Sequence, residues 1–239
     1  MKTFRGALIE MRNWLAERRP FALARFGDGE LKILKKERNP YPEFKYDPAN
    51  PGDEVFRRRL LDTLMYVSPG YYVGVPCPKC VGADRFLWAK ATSGQPEAQL
   101  TFATLMVNSN YNFFLEEVVP QFSRYRIVMV CNRSCGLEGL PFPIARDFRV
   151  GFDAWRNDHH LATQIPDYVA AENVRGALFI LCAGPFANIL ARALHARAPC
   201  NTYLDVGSAL DPFLFGPRGR TRRYLRGDKR LLNEVCVWA

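Results

Sequence analysis

No stretch of this chain approaches the 18 or more uninterrupted apolar residues of a membrane span, and residues 1–20 lack the apolar core of a signal peptide. These two absences lead us to expect a cytoplasmic protein without a transmembrane segment. Histidine is scarce, with only His159, His160 and His195, so chemistry built on an imidazole has little to draw on. The first two lie in a polar segment, and His195 falls late in an expected helix, where a surface or capping role is usual. Seven cysteines, an odd count with no secretion signal, argue against a disulfide scaffold. Internal repeats and low-complexity tracts are also missing. What remains is 239 residues with 48% hydrophobic content, enough to bury a substantial core and to exclude disorder.

The pattern along the chain alternates helix and strand. Phe4, Leu8, Met11 and Leu15 recur at helical spacing, which predicts an amphipathic helix over 3–18, ending before Pro20. A short buried strand follows over 21–24, then a helix over 30–36. Four prolines between 39 and 52 mark a loop, which beside a site would serve as a lid. Helices are expected over 53–67 and 111–119, and strands over 71–75, 126–131 and 148–152. The clearest unit comes last: strand 177–182, a turn at Ala183-Gly184-Pro185, helix 186–197 and strand 202–206, a parallel crossover unit. The fold class this implies is α/β, Rossmann-like, with a mostly parallel sheet flanked by helices, in a single domain over 1–239.

Arg25-Phe26-Gly27-Asp28-Gly29-Glu30 sits at the strand-to-helix turn and puts two carboxylates one residue apart. Gly27 and Gly29 let the backbone turn and approach a ligand, and Asp28 can cap the following helix. Free N–H groups at that end favour phosphate. Asp28 and Glu30 are hard oxygen donors of the kind that hold Mg²⁺ or Mn²⁺ shared with substrate phosphates. The plainer alternative is a cap at Asp28 and a favourable first-turn charge at Glu30.

The stretch from Phe21 to Leu31 resembles the N-terminal signature of the GT-D-fold glycosyltransferases, a bacterial and phage-associated family. Three later segments are also similar: Asn108-Ser109-Asn110-Tyr111, Ala183-Gly184-Pro185-Phe186-Ala187, and Tyr203-Leu204-Asp205-Val206-Gly207-Ser208-Ala209-Leu210-Asp211. The resemblance implies a hexosyltransferase dependent on a nucleotide-sugar, a UDP-sugar before others, with Asp28 and Glu30 at the metal. Arg25, Gly27, Gly29, Asn108, Asn110, Gly184, Gly207 and Ser208 are then expected to bind substrate, with Asp205 and Asp211 as further catalytic carboxylates. In an open parallel sheet, ligands sit beyond the carboxyl ends of the strands, which is where these segments fall. The base that takes the acceptor proton is open among Asp147, Asp153, Asp205 and Asp211, with Trp155 beside Asp153 as a surface for sugar stacking.

Net charge is +9, and 216–230 holds seven basic residues against the single acid Asp228. Within this basic C-terminal segment Arg220, Arg222 and Arg223 are candidates to neutralise a donor diphosphate, to track a nucleic acid backbone, or to meet an anionic membrane. The resemblance implies as acceptor a bacterial surface glycan or the hydroxymethylated bases of phage DNA; the latter would suit the basic segment and requires base extrusion or major-groove access. Cys77-Pro78-Lys79-Cys80 looks like a zinc knuckle and Cys131-Asn132-Arg133-Ser134-Cys135 is a looser version, so four thiolates would close a structural Zn²⁺ site. Zinc with a basic tail defines the alternative: a nucleic-acid-binding module without catalysis.

Overall fold

The structure is a computed structural model that describes residues 1–41 and 43–216. Among these, the strands β1 (Ala22–Arg25), β2 (Tyr71–Val75), β3 (Leu100–Phe102), β4 (Ile127–Asn132), β5 (Arg146–Val150), β6 (Leu178–Leu181) and β7 (Thr202–Asp205) form one sheet. Every pairing is parallel, in the order β3-β2-β1-β7-β6-β4-β5. The helices are α1 (Phe4–Ala16), α2 (Asp28–Leu34), α3 (Pro51–Leu64), α4 (Pro78–Val81), α5 (Ala83–Ser93), α6 (Tyr111–Phe113), α7 (Ala154–Asn157), α8 (Leu161–Ala171), α9 (Pro185–Arg197) and α10 (Asp211–Phe215). A π-helical turn, Phe114–Val118, continues α6.

A parallel sheet covered on both faces needs strands that are apolar throughout, and Ile127-Val128-Met129-Val130-Cys131 and Leu178-Phe179-Ile180-Leu181 are buried without a break. Alternate residues feed two cores. Ala22, Ala24, Val128, Val130, Phe179 and Leu181 pack under α2, α3, α5, α8 and α9. Leu23, Ile127, Met129, Leu178 and Ile180 pack under α1, the π turn and α10. Burying one such side chain stabilises the fold by about 1.5–3 kcal/mol.

The element readings hold for strand 71–75, which matches β2 residue for residue, and for the last crossover unit, whose helix starts one residue early because Pro185 occupies its first turn. α1 begins where Thr3 Oγ1 accepts from the Gly6 N–H at 3.0 Å. Five helices, α4, α5, α7, α8 and α10, escaped the periodicity. Pro166 lies inside α8, and proline reads as a breaker although here it is buried against the core.

The chain leaves β1 toward one face of the sheet, where Leu31, Ile33 and Leu34 of α2 join the first core. It leaves the adjacent β7 toward the other, where Leu214 of α10 joins the second. Neighbouring strands whose connections depart to opposite faces open a crevice at their carboxyl ends. In this molecule the crevice lies between the turn that carries Asp28 and the turn that carries Gly207.

Candidate active site at the β1–β7 crevice

β1 ends at Arg25 and α2 starts at Asp28, so Gly27, and not Asp28, is the helix N-cap. The Gly27 N–H is satisfied by Glu30, whose Oε2 accepts from it at 2.9 Å. That corrects the expectation that Asp28 caps the helix: Glu30 does the local work, and Asp28 stands exposed at the first helical position. The Glu30 carboxyl is pushed up to about 7, chiefly by burial and further by the charges of Asp205 and Asp28. The hydrogen bond from backbone and the Arg25 charge pull the other way without overcoming it.

Asp205 closes β7 and is turned inward rather than toward the crevice. Its Oδ2 accepts from the Arg25 N–H at 3.1 Å, and its Oδ1 accepts from the Gly207 N–H at 3.0 Å and from Arg25 Nη2 at 3.4 Å. Arg25 Nη1 donates in turn to the Ala103 carbonyl at 2.7 Å. The guanidinium and carboxylate are both buried, with side-chain exposures of 11% and 5%, so they knit β1, β7 and the end of β3 together. The geometry therefore gives both a structural job, where substrate contact was expected of Arg25 and catalysis of Asp205. Burial raises the Asp205 carboxyl, against the pull of Arg25.

Gly207 is fitted to this pair. Its φ is +51°, and a Cβ there would stand 2.0 Å from Arg25 Nη2. Gly207→Ala is expected to lose at least ~2 kcal/mol, from left-handed strain plus displacement of the guanidinium. Gly94→Ala is the control: it sits in the left-handed region at φ +61° with nothing within 4 Å of a Cβ, so only the backbone term of about 1–2 kcal/mol applies. Urea midpoints for the two variants would check the difference.

Phe44 of the proline-rich loop reaches the turns beside the crevice. The Phe44 ring sits where a Cβ on Gly29 would stand 2.8 Å from it and one on Gly184 3.4 Å, so both motif glycines clear space for one ring. The loop is pinned in place. Asn39 Nδ2 donates to the Phe44 carbonyl (2.8 Å), the Asp153 N–H donates to the Glu43 carbonyl (3.0 Å), and Arg156 Nη2 donates to the Lys45 carbonyl (2.8 Å). Asn188, fully buried in the first turns of α9, accepts from the Arg25 N–H through Oδ1 at 3.0 Å. Sequence reading passed over Asn188 and Phe44. The signal for Asn188 was a polar residue inside the apolar stripe Phe186-Ala187-Asn188-Leu190-Ala191.

Ser208 and Asp211 stand at the β7 side of the crevice, half-buried, with Asp211 opening α10. Asn108 and Asn110 are buried in the turn after β3, Asn108 at φ +59°. Other candidates fall elsewhere. Asp147 lies near the start of the edge strand β5, paired with Arg149, away from the carboxyl edge. Asp153 accepts from Trp155 Nε1 at 2.6 Å and from the Lys45 N–H at 3.2 Å, and the Trp155 ring is buried against Phe56, which removes it as a sugar platform. His195 is buried beside Tyr66 and Tyr71, not on the surface, and burial lowers its pKa. Arg220, Arg222 and Arg223 lie outside the described residues.

The two cysteine pairs do not meet. Cys77 and Cys80 follow β2, whereas Cys131 lies on β4 and Cys135 just after it, and β1, β7 and β6 stand between, about 19 Å of sheet. Among the described residues no three His, Cys, Asp or Glu side chains gather into a metal-binding group, so the four-thiolate zinc site is not formed. Asp28 and Glu30 are a different case. They offer two hard carboxylates, one of them crowded by other negative charge, and a divalent cation relieves that crowding. The pair fits Mg²⁺ or Mn²⁺ completed by water and phosphate oxygens.

No protein-family model matches the chain, and no curated protein does. Solved structures do. A structure described as a new glycosyltransferase (DUF1792) from Streptococcus sanguinis superposes with a TM-score of 0.60 at 16% identity, over 90% of this chain and 86% of that one. Another, described as the highly conserved domain of unknown function 1792 with a distinct glycosyltransferase fold, gives 0.58 at 15% identity, over 90% and 83%. Identity at this level speaks for the fold: the chain has the α/β fold of the DUF1792 structures.

Proposed function

We propose that the chain is a metal-dependent glycosyltransferase of GT-D type, moving a hexose from a nucleotide-sugar, a UDP-sugar first, to an acceptor hydroxyl. The observation that carries this reading is the placement of Asp28 and Glu30 at the β1–β7 crevice of a fold shared with structures described as having a glycosyltransferase fold. Asp28 and Glu30 would hold Mn²⁺ or Mg²⁺, which neutralises charge on a departing nucleotide diphosphate. The Arg25–Asp205 pair holds the two turns that frame the crevice, and Phe44 keeps water from the glycine turns beneath it. Asp211, half-buried at the start of α10 on the β7 side of the crevice, is the carboxylate we assign to the acceptor proton. Gly27, Gly29, Gly184, Gly207, Ser208, Asn108 and Asn110 remain the backbone and amide contacts we assign to the donor, with Arg220, Arg222 and Arg223 supporting its phosphates.

The test is a thermal-shift screen against UDP-, GDP- and TDP-sugars with and without Mn²⁺, since a ligand that binds only the folded state raises its melting temperature. A rise that needs both the metal and one nucleotide is expected. No rise with any donor would sink the reading. For the acceptor, gel shifts on hydroxymethylated DNA at rising salt separate a polyanionic acceptor from a surface glycan, because phosphate contacts weaken steeply with salt.

A further inference from the structure

At the β4 end of the carboxyl edge, thiols gather that the proposed transfer does not use. Cys131 is fully buried on β4. Cys182 stands one position past the Val130–Leu181 register pair, its N–H donating to the Val130 carbonyl at 2.8 Å. Cys135 returns to Cys131 through a tight turn in which the Cys135 N–H donates to the Asn132 carbonyl at 3.1 Å. Cys131 and Cys135 are both buried in the second core, four residues apart across that turn, and each shifts the titration of the other. Arg149, from the neighbouring strand β5, points its Nη1 at both the carbonyl (2.8 Å) and the Sγ (3.5 Å) of Cys135.

We infer that Cys131 and Cys135 form a redox-active dithiol in which Cys135 attacks a hydroperoxide and Cys131 resolves the product. The roles follow from the neighbours. Cys135 is the thiol that the Arg149 guanidinium faces, and it is lowered to about 7 by its interaction with Cys131, with Arg149 assisting against burial. Cys131 is shifted the opposite way, which keeps its proton in place until the first step is complete. In that step the Cys135 sulfur takes one peroxide oxygen as sulfenic acid, and the other oxygen leaves as water or an alcohol. The Cys131 sulfur then displaces water from the sulfenic acid and forms the disulfide. Two thiols lose two electrons and two protons, and one hydroperoxide is reduced.

The turn between these cysteines is tied to the crevice. The Gly136 N–H donates to the Leu214 carbonyl of α10 at 2.9 Å, and α10 begins at Asp211. A disulfide that tightens the 131–135 turn therefore pulls on the helix that lines one wall of the crevice. This chemistry stands whether or not the crevice transfers sugars.

The full chain, treated with hydrogen peroxide, blocked with iodoacetamide and digested with trypsin without reductant, tests it by mass spectrometry. Cleavage after Arg133 falls between the two cysteines, so the disulfide joins peptides 127–133 and 134–146. The expected result is that linked species, reversed by dithiothreitol, with Arg149→Gln slowing its formation several-fold. Dimedone should trap a sulfenic acid on Cys135 when Cys131 is Ser. Full alkylation of both cysteines after peroxide, or a link from Cys131 to Cys182 instead, would overturn the assignment, and both are read on the unmutated protein.

Discussion

Asp28→Ala is expected to abolish metal-dependent donor binding while leaving the melting temperature within about 1–2 °C of the parent. Asp28 is exposed and holds no cap, so the substitution falls in the class of surface changes worth about ±0.5 kcal/mol. If it carries the cation, losing it removes charge stabilisation worth at least ~10²-fold in rate. Undiminished transfer by a folded Asp28→Ala protein would refute the metal reading. Glu30 has two jobs and needs a gentler probe. Glu30→Gln keeps an oxygen to accept the Gly27 N–H and removes only the charge. Because the folded carboxyl sits at about 7 against 4.5 when unfolded, the folded state keeps a proton that the unfolded chain releases. The stability this contributes is full below about pH 4.5 and is lost as pH rises through 7, at most ~3 kcal/mol given that Glu30 is partly accessible. Glu30→Gln should flatten that slope, measured as urea midpoints at pH 5 and pH 8. Its metal response, weak at low pH in the parent because ligands must be ionised, should vanish at both.

Legibility in the sequence followed from how locally each feature is determined. The sheet was legible because a strand buried on both faces is apolar at every position, and 127–131 and 178–181 say so directly. The turn at Gly27 to Glu30 was legible as a strand-to-helix turn because glycine followed by first-turn acids marks a helix start, and Glu30 is used in that way at the Gly27 N–H. Roles within the site were not, because they depend on partners far along the chain. Arg25 and Asp205 are 180 residues apart, and nothing local distinguishes a carboxylate aimed into the crevice from one aimed back at a guanidinium. Trp155 shows the same limit: beside an acid it suggested a sugar platform, whereas the fold buries it against Phe56 and uses the acid to satisfy its ring N–H. The zinc reading failed on topology. Knuckle spacing is local, but the strand order that separates β2 from β4 is set by the whole fold. Phe44 could not have been found from spacing at all, since its site is the empty space over two glycines in other segments.

Arg25→Met is expected to be the most destabilising single change at the site, at ~3–5 kcal/mol, because it strands the Asp205 carboxylate in the interior without its cation. The two backbone N–H donors from residues 25 and 207 remain but cannot replace the guanidinium. For a domain of this size that loss lowers the melting temperature by roughly 10 °C. With Arg25 gone, the Asp205 carboxyl rises further, so its proton is held to higher pH in the folded state than in the unfolded one. The deficit of Arg25→Met relative to the parent is then smaller at pH 5 than at pH 8. Replacing the acid as well makes the argument decisive. Arg25→Met with Asp205→Asn keeps an acceptor oxygen for the Gly207 N–H and leaves no buried charge, so the double variant should recover more than half of the loss. That recovery is a coupling of about 2 kcal/mol or more, far beyond what independent sites show. Strictly additive losses in the double variant, or a deficit equal at both pH values, would mean that Arg25 acts through packing and its bond to the Ala103 carbonyl, and not through the charge it sets against Asp205.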